Sequence, residues 1–316
     1  MVRRLILGPI LIGVLLLVIW GEHALAGVSL PAFLRVLARP DGSAPPGLIL
    51  LPLGCLVAAR AAIELGRIYK AAGLAAPKRV IVLAAITGVI VGAIFIAPPA
   101  DSWIAPFGGQ ALATAAAGVI AIALLVHLRH GEIRGACGAA GAALMAFVYS
   151  GVILGFIMAI RVEFSAWVLL AVILTAKSCD IGAYFTGRLI GRHKLIPWVS
   201  PGKTWEGLVG GMIVSGLVGM LGAFAQSWWS GPGAPGFIPG FPPLHGFIAG
   251  VLLGLSAQIG DLSASVLKRD AGIKDSGRLL PGMGGIIDVI DSLLLAGPVA
   301  FWYLSIVKRS AEAVAA

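Results

Sequence analysis

The chain contains little charge and little cysteine. Only 12% of its 316 residues are charged, whereas 59% are hydrophobic and the mean hydropathy is +1.00. This composition excludes an ordinary soluble domain. The three cysteines lack paired spacing, which excludes a disulfide framework and a zinc knuckle. Basic–aromatic motifs of nucleic-acid binding are also missing, so we expect no nucleic-acid partner.

Long apolar runs dominate what the sequence does contain. Nine runs have about the length needed to cross a bilayer, so we expect an all-α, polytopic integral membrane helical bundle. We expect a single membrane domain over 1–316, with about five N-terminal helices in 1–160 and the motif-bearing, catalytic helices in 165–306. The predicted spans are 5–20, 47–66, 80–97, 109–128, 136–160, 165–187, 207–226, 247–267 and 286–306.

The N-terminal run permits two interpretations. Its basic start, apolar core and Ala24-Leu25-Ala26 are compatible with a cleaved signal peptide. We expect a retained first helix instead, because polytopic membrane proteins seldom need a cleaved signal.

The basic residues of the connecting loops predict the orientation. The loops after the second, fourth, sixth and eighth spans contain four, two, four and four Lys or Arg. The loops after the odd-numbered spans contain two, none, one and none. The positive-inside rule then puts the N-terminus and the basic loops in the cytoplasm, with the protein in the cytoplasmic (inner) membrane. The net charge of +9 reflects this topology and an attraction to anionic lipid.

Five ionisable residues interrupt the apolar pattern. Lys177 and Asp180 lie in the sixth span, Asp261 lies in the eighth, and Asp288 and Asp291 open the ninth. With the predicted orientation, all five lie near the cytoplasmic surface. Each has a structural alternative, since Lys177 and Asp180 could neutralise each other and Asp288 could cap a helix.

The structural alternative is weaker for the five residues as a set. Three carboxylates share a single lysine at this depth, and each unpaired charge costs about 3 kcal/mol on insertion. A divalent cation would compensate them, and ligation by oxygen alone favours Mg²⁺ over zinc. The flanking loops are rich in Lys and Arg and contain the glycine turn "PGMGG". The pattern therefore predicts a phosphoryl or nucleotidyl transfer centre at the cytoplasmic membrane surface.

The segment "SASVLKRDAGIKDSGRLLPGMGGIIDVID" (263–291) resembles the signature of the phosphatidate cytidylyltransferase (CDP-diacylglycerol synthase) family. Upstream, "CDIGAYFTGRLIGRHKL" and "SPGKTWEGLVGG" are similar to two further segments of that family. The strong resemblance covers about 175–291, and "IELGRIYKAAG" (63–73) weakly resembles the early cytoplasmic loop of that family. Two residues depart from the pattern: Met283 replaces a histidine and Val289 an arginine, so either Arg278 and His193 cover those roles or the branch has diverged. The matching positions are Ser265, Lys268, Arg269, Lys274, Asp275, Gly277, Pro281, Gly284, Gly285, Asp288 and Asp291.

The resemblance implies a reaction of CTP with phosphatidate in the bilayer, giving CDP-diacylglycerol and pyrophosphate for phospholipid biosynthesis. It implies Mg²⁺ and a second cation, divalent or monovalent, in the centre. The implied catalytic residues are Lys177, Asp261, Asp288 and Asp291, of which Asp261 and Asp288 bind metal with Asp291 beside them. The implied phosphate-binding residues are Lys203, Lys268, Arg269, Lys274, Arg278 and Arg188. Supporting roles fall to Asp180, Glu206, Asp275 and Ser265.

Two other functions stay open on the sequence. Another CTP-dependent lipid or polyprenol kinase would share the Asp/Lys chemistry but not the full signature. An ion-coupled transporter would place its charges near the midplane, with a pathway open to both sides. The sequence leaves the assembly open, a homodimer included.

Overall fold

A computed structural model of the protein describes residues 2–26, 28–29, 43–74, 76–97, 105–129, 133–229, 241–277, 279 and 284–315. Each predicted span coincides with a helix or a helical stretch. The helices are α1 (Val2–Leu25), α2 (Leu50–Ala71), α3 (Lys78–Phe95), α4 (Gly108–Leu128), α5 (Ala136–Phe147), α6 (Ile153–Glu163), α7 (Ala166–Ile190), α8 (Trp205–Trp229), α9 (Pro243–Asp270) and α10 (Ile287–Ala315). The expectation of an all-α membrane protein is confirmed.

Three details of the helices differ from the expected spans. The fifth span is divided into α5 and α6 by a π-helical turn at Val148–Val152. Helix α1 is longer than the predicted 5–20. In the described part of the chain, eight helical stretches are long and apolar enough to cross a membrane. Helix α2 is not among them, and it contains four charged residues.

The chain forms two compact units. Unit 1 comprises 1–63, 76–169 and 278–283, and unit 2 comprises 64–75, 170–277 and 284–316. The end of α2 therefore belongs to unit 2. The expected single domain with a division near 160–165 stays a prediction.

The core of unit 1 lies around α3 and contains many small residues. Helix α3 packs against α4, α5 and α6. Val80, Ala84, Ala123 and Phe147 are all buried in one cluster there. Alanines at such positions let helix backbones approach closely, which is how helices associate without a hydrophobic driving force in lipid.

Unit 1 also contains a buried ion pair that the sequence did not reveal. The Glu22 carboxylate lies 3.1 Å from Arg161 Nε, and both side chains are less than a tenth exposed. The same carboxylate accepts backbone N–H groups from Gly47, Ile49 and Leu50 at 2.7–3.0 Å. Since Leu50 begins α2, Glu22 caps that helix from a neighbouring one.

Unit 2 arranges the helices that contain the motifs. Helix α9 packs against both α8 and α10. Between α7 and α8 the chain forms an antiparallel hairpin of β1 (Lys194–Ile196) and β2 (Ser200–Thr204). The sequence had predicted only a basic loop here. The hairpin leads directly into α8 and places Lys203 beside α9.

The Glu22–Arg161 pair generates a stability prediction. Arg161→Met leaves a buried carboxylate without its cation, so we expect a loss of about 3–5 kcal/mol in the free energy of unfolding. Chemical denaturation of the purified protein in detergent measures this loss. The double variant Glu22→Gln/Arg161→Met should be more stable than Arg161→Met alone. A single variant as stable as wild type would contradict the pairing.

Candidate active site

Lys177 joins α7 to the start of α10. Its ammonium group donates hydrogen bonds to the Val289 carbonyl at 2.7 Å and to the Ser292 hydroxyl at 2.6 Å. Asp180, one turn further along α7, accepts a hydrogen bond from Gln258 of α9 at 2.9 Å. The two residues thus face different helices, and simple mutual neutralisation does not describe their contacts.

Asp261 on α9 pairs with Lys203 on β2. The distance from Lys203 Nζ to Asp261 Oδ2 is 2.8 Å, and both side chains are partly buried. The Lys203 ammonium nitrogen itself is buried and makes no aligned hydrogen bond with any described residue. Because a buried ammonium group normally fills its donor positions, this lysine has capacity for an anionic ligand.

Asp288 is the most heavily bonded carboxylate of the site. Its Oδ1 lies 2.6 Å from Lys268 Nζ. Its Oδ2 accepts the backbone N–H groups of Ser276 and Gly285 at 2.9 and 2.8 Å. The Ser276 hydroxyl lies 2.9 Å from the same oxygen. Asp288 therefore holds the loop between α9 and α10 against the first turn of α10.

The negative charge of Asp291 has far fewer compensating contacts. It is buried, and its Oδ1 accepts the backbone N–H of Ser292 at 2.6 Å. Its carboxylate interacts electrostatically with Asp261 and with Lys177. A Cβ added to Gly260 would meet the Asp291 carbonyl oxygen, so glycine allows the close approach of α9 and α10 that puts Asp261 beside Asp291.

A third carboxylate belongs to the same region. Asp180 interacts electrostatically with Asp261, Lys177 and Lys203. Three carboxylates of α7, α9 and α10 thus share two lysines, and we call these five residues (Lys177, Asp180, Lys203, Asp261 and Asp291) the carboxylate–lysine cluster.

The donor chemistry of the cluster fits Mg²⁺ in combination with a nucleotide. Among the described residues, no three His, Cys, Asp or Glu side chains converge closely enough to hold a metal by themselves. Magnesium does not require such a cage, because it is usually bound through one or two carboxylates together with substrate phosphates. Asp261 and Asp291 can supply that pair of carboxylates.

Of the remaining expected site residues that the structure describes, some make contacts outside the cluster and others are half-buried or exposed. Arg269 donates to the Val199 carbonyl at 3.3 Å, which ties the end of α9 to the hairpin. Glu206 is paired with His193 at 2.6 Å, and Arg188 donates to the Tyr184 hydroxyl. Ser265 is half-buried on α9, whereas Lys274 and Asp275 are exposed on the loop. Arg278 and Met283 lie outside the described residues.

Sequence reasoning missed four residues that contact the site. Gln258 and Ser292 bind Asp180 and Lys177, and Ser276 contacts Asp288. Glu64 of α2 contacts Ser276 and the start of α10. Neutral polar residues give no strong signal in an apolar helix, and Glu64 lies in a segment with only a weak family resemblance.

Comparison with known proteins identifies the family. Residues 42–307 match the profile of the cytidylyltransferase family. The chain belongs to that family. This confirms the resemblance seen in the signature segment and the expected enzyme class, a nucleotidyltransferase.

Individual relatives match over less than half of this chain. A phosphatidate cytidylyltransferase of Synechocystis is 40% identical over 141 residues, which cover 43% of each chain. The phosphatidate cytidylyltransferase of Haemophilus influenzae is 41% identical over 133 residues, covering 42% of this chain and 43% of the relative. The Escherichia coli protein YnbB, described as uncharacterized, is 39% identical over 144 residues, covering 46% and 44%. The alignments thus span less than half of each relative.

The unequal bonding of Asp288 and Asp261 generates the second prediction. Asp288→Asn should lower the free energy of unfolding by about 3 kcal/mol, because it leaves the buried Lys268 unpaired. Asp261→Asn should change it by less than about 1 kcal/mol, because that pair is partly exposed and the change removes repulsion from Asp291. Thermal unfolding of the two variants in detergent compares them, and equal melting temperatures would contradict this assignment.

Proposed function

We propose that this protein is a phosphatidate cytidylyltransferase, which converts CTP and phosphatidate to CDP-diacylglycerol and pyrophosphate. The carboxylate–lysine cluster carries the proposal. Its three acidic side chains exceed its two lysines, and its Lys203 retains free donor positions. A magnesium–polyphosphate complex would supply a cation for the excess carboxylates and an anion for the free donor positions of Lys203.

The chemistry asks little of the protein beyond position and charge. A phosphate oxygen of phosphatidate attacks the α-phosphorus of CTP, a new P–O bond forms, and the bond to the β-phosphate breaks. Pyrophosphate leaves with the bonding electron pair. Because the attacking phosphate monoester is already ionised, no strong general base is needed, and catalysis depends on in-line positioning and charge neutralisation.

The lysines of unit 2 divide this task. The buried ammonium nitrogen of Lys203 lies beside Asp261 and can turn its free donors toward the phosphates of CTP. Lys177 interacts electrostatically with Asp180 and Asp291, and its positive charge would also stabilise the phosphates of CTP. Arg269 and Lys274 stand at the exposed end, where a cytosolic nucleotide would arrive.

Magnesium would be held by Asp261 and Asp291, where it neutralises phosphate charge and polarises the phosphorus under attack. The family resemblance adds Asp288 as a ligand. Both Asp288 oxygens are bonded in this structure, so ligation by Asp288 requires exchange of its contact with Lys268. A second cation, divalent or monovalent, is part of the proposal.

We place this reaction at the cytoplasmic face of the cytoplasmic membrane. The distribution of basic loops supports that orientation. Phosphatidate is confined to the bilayer and CTP to the cytosol, so their phosphates can meet only at the membrane surface. The last turn of α9 and the first turn of α10, which contain Lys268 and Asp288, would lie at that surface.

The proposal is tested by incubating the purified protein with CTP, phosphatidate and Mg²⁺. We expect CDP-lipid and pyrophosphate in equal amounts, and none when EDTA is added. Release of CDP with phosphorylation of a lipid alcohol would support the kinase alternative instead and contradict the proposal.

Lys203→Met adds a sharper prediction within the same assay. It removes the buried cation with free donor positions, so we expect turnover to fall by about 100-fold or more, as when one preorganised charge-stabilising donor is lost. Lys194→Met is the matched control, because Lys194 is exposed on the partner strand of the same hairpin. Equal turnover of the two variants would argue against a phosphate-binding role for Lys203.

A further inference from the structure

Glu64 is a fully buried carboxylate at the end of α2, within unit 2. Among the described residues it has no Lys, Arg or His within ion-pair distance. Its oxygens are bonded instead to the loop before α10 and to the start of that helix. A buried charge without a counter-ion is expensive, so its contacts must be made with good geometry.

The two oxygens of the Glu64 carboxylate bind two successive backbone amides at the start of α10. Its Oε1 accepts the Ile286 N–H at 2.9 Å, and its Oε2 accepts the Ile287 N–H at 3.0 Å. These amides stand at the N-terminus of α10, where N–H groups have no partner within the helix. A carboxylate there also complements the helix dipole. The two bonds fix the position and rotation of the first turn, from which Asp288 and Asp291 project.

A serine connects Glu64 to Asp288. The Ser276 hydroxyl oxygen lies 2.8 Å from Glu64 Oε2 and 2.9 Å from Asp288 Oδ2. Asp288 in addition accepts the backbone N–H groups of Ser276 and Gly285. Glu64 and Asp288 therefore hold the same segment of loop from its two sides.

Gly285 shows how closely this segment approaches Glu64. A Cβ added to Gly285 would meet both Glu64 Oε2 and the Ser276 hydroxyl oxygen. Only glycine leaves room for the carboxylate to reach the amides that follow. The glycine of the turn and the distant glutamate are thus parts of one arrangement.

We propose that Glu64 is a positioning residue for the active site, acting through Ser276 and the first turn of α10 on Asp288 and Asp291. This inference rests on the proposed cytidylyltransferase function. It gives the end of α2, about 220 residues away in sequence, a defined role in the reaction.

Glu64→Gln and Glu22→Gln form a matched pair for the test. Both replace a buried glutamate that caps a helix, but among the described residues the Glu22 carboxylate bonds to the segment that starts α2 and to Arg161. Each variant is purified, its folded fraction is measured, and its turnover is expressed per folded molecule. Hydrogen exchange is followed at the amides of Gly285, Ile286 and Ile287.

We expect Glu64→Gln to lower kcat per folded molecule by about 10- to 100-fold, the usual effect of losing a residue that orients an active-site ligand. Exchange at the start of α10 should accelerate. Glu22→Gln should keep kcat within about twofold and accelerate exchange at the start of α2 instead. Unchanged kcat in Glu64→Gln, or equal losses in both variants, would overturn the proposal.

Ser276→Ala keeps the test decisive if Glu64→Gln does not fold. It removes only the hydroxyl between the two carboxylates, and we expect kcat to fall about tenfold. Wild-type kcat in Ser276→Ala would overturn the link. If the wild type forms no CDP-lipid, the proposed function fails, whereas the exchange rates still decide whether Glu64 holds the first turn of α10.

Discussion

Carboxylates placed at the ends of apolar helices must be compensated, and this requirement governs unit 2. Asp288 and Glu64 are compensated by backbone N–H groups, a serine and a lysine within the protein. Asp261 and Asp291 instead repel each other and share cations with Asp180. The contacts of Asp288 and Glu64 hold the loop before α10 and the start of that helix in position. The compensation of Asp261 and Asp291 is incomplete, and in the proposed function a cation and a polyphosphate would complete it.

This division gives the acidic residues different tasks. The residues with satisfied oxygens set the shape of the site, because their bonds would have to break before they could bind anything else. In the proposed function, the residues with unsatisfied charge would bind the cation and the nucleotide. The two tasks meet at the start of α10, where Asp288 is bonded and Asp291 is buried, with one hydrogen bond, from the Ser292 amide, among the described residues. Small displacements of that turn would therefore alter the reaction.

Much of this arrangement could be predicted from the sequence. Hydropathy predicts the helices. The distribution of the basic loops predicts that Lys177, Asp261 and Asp288 lie at one depth in the membrane. The partners of these residues could not be predicted. Lys203 reaches Asp261 through a hairpin that was expected to be a loop, and Glu64 reaches Ile287 across 223 positions. Such contacts depend on how the helices pack, and the local hydrophobic periodicity of a single sequence does not reveal that packing.

In the proposed function, Asp261 and Asp291 hold a divalent cation only together with the nucleotide. Electron paramagnetic resonance of Mn²⁺, used in place of Mg²⁺, measures protein-bound cation with and without CTP. We expect at least one protein-bound Mn²⁺ per chain, and only in the presence of CTP. We also expect Asp261→Asn and Asp291→Asn each to weaken this binding by about tenfold or more. Binding of Mn²⁺ and CTP to both variants with wild-type affinity would contradict this role of the two carboxylates.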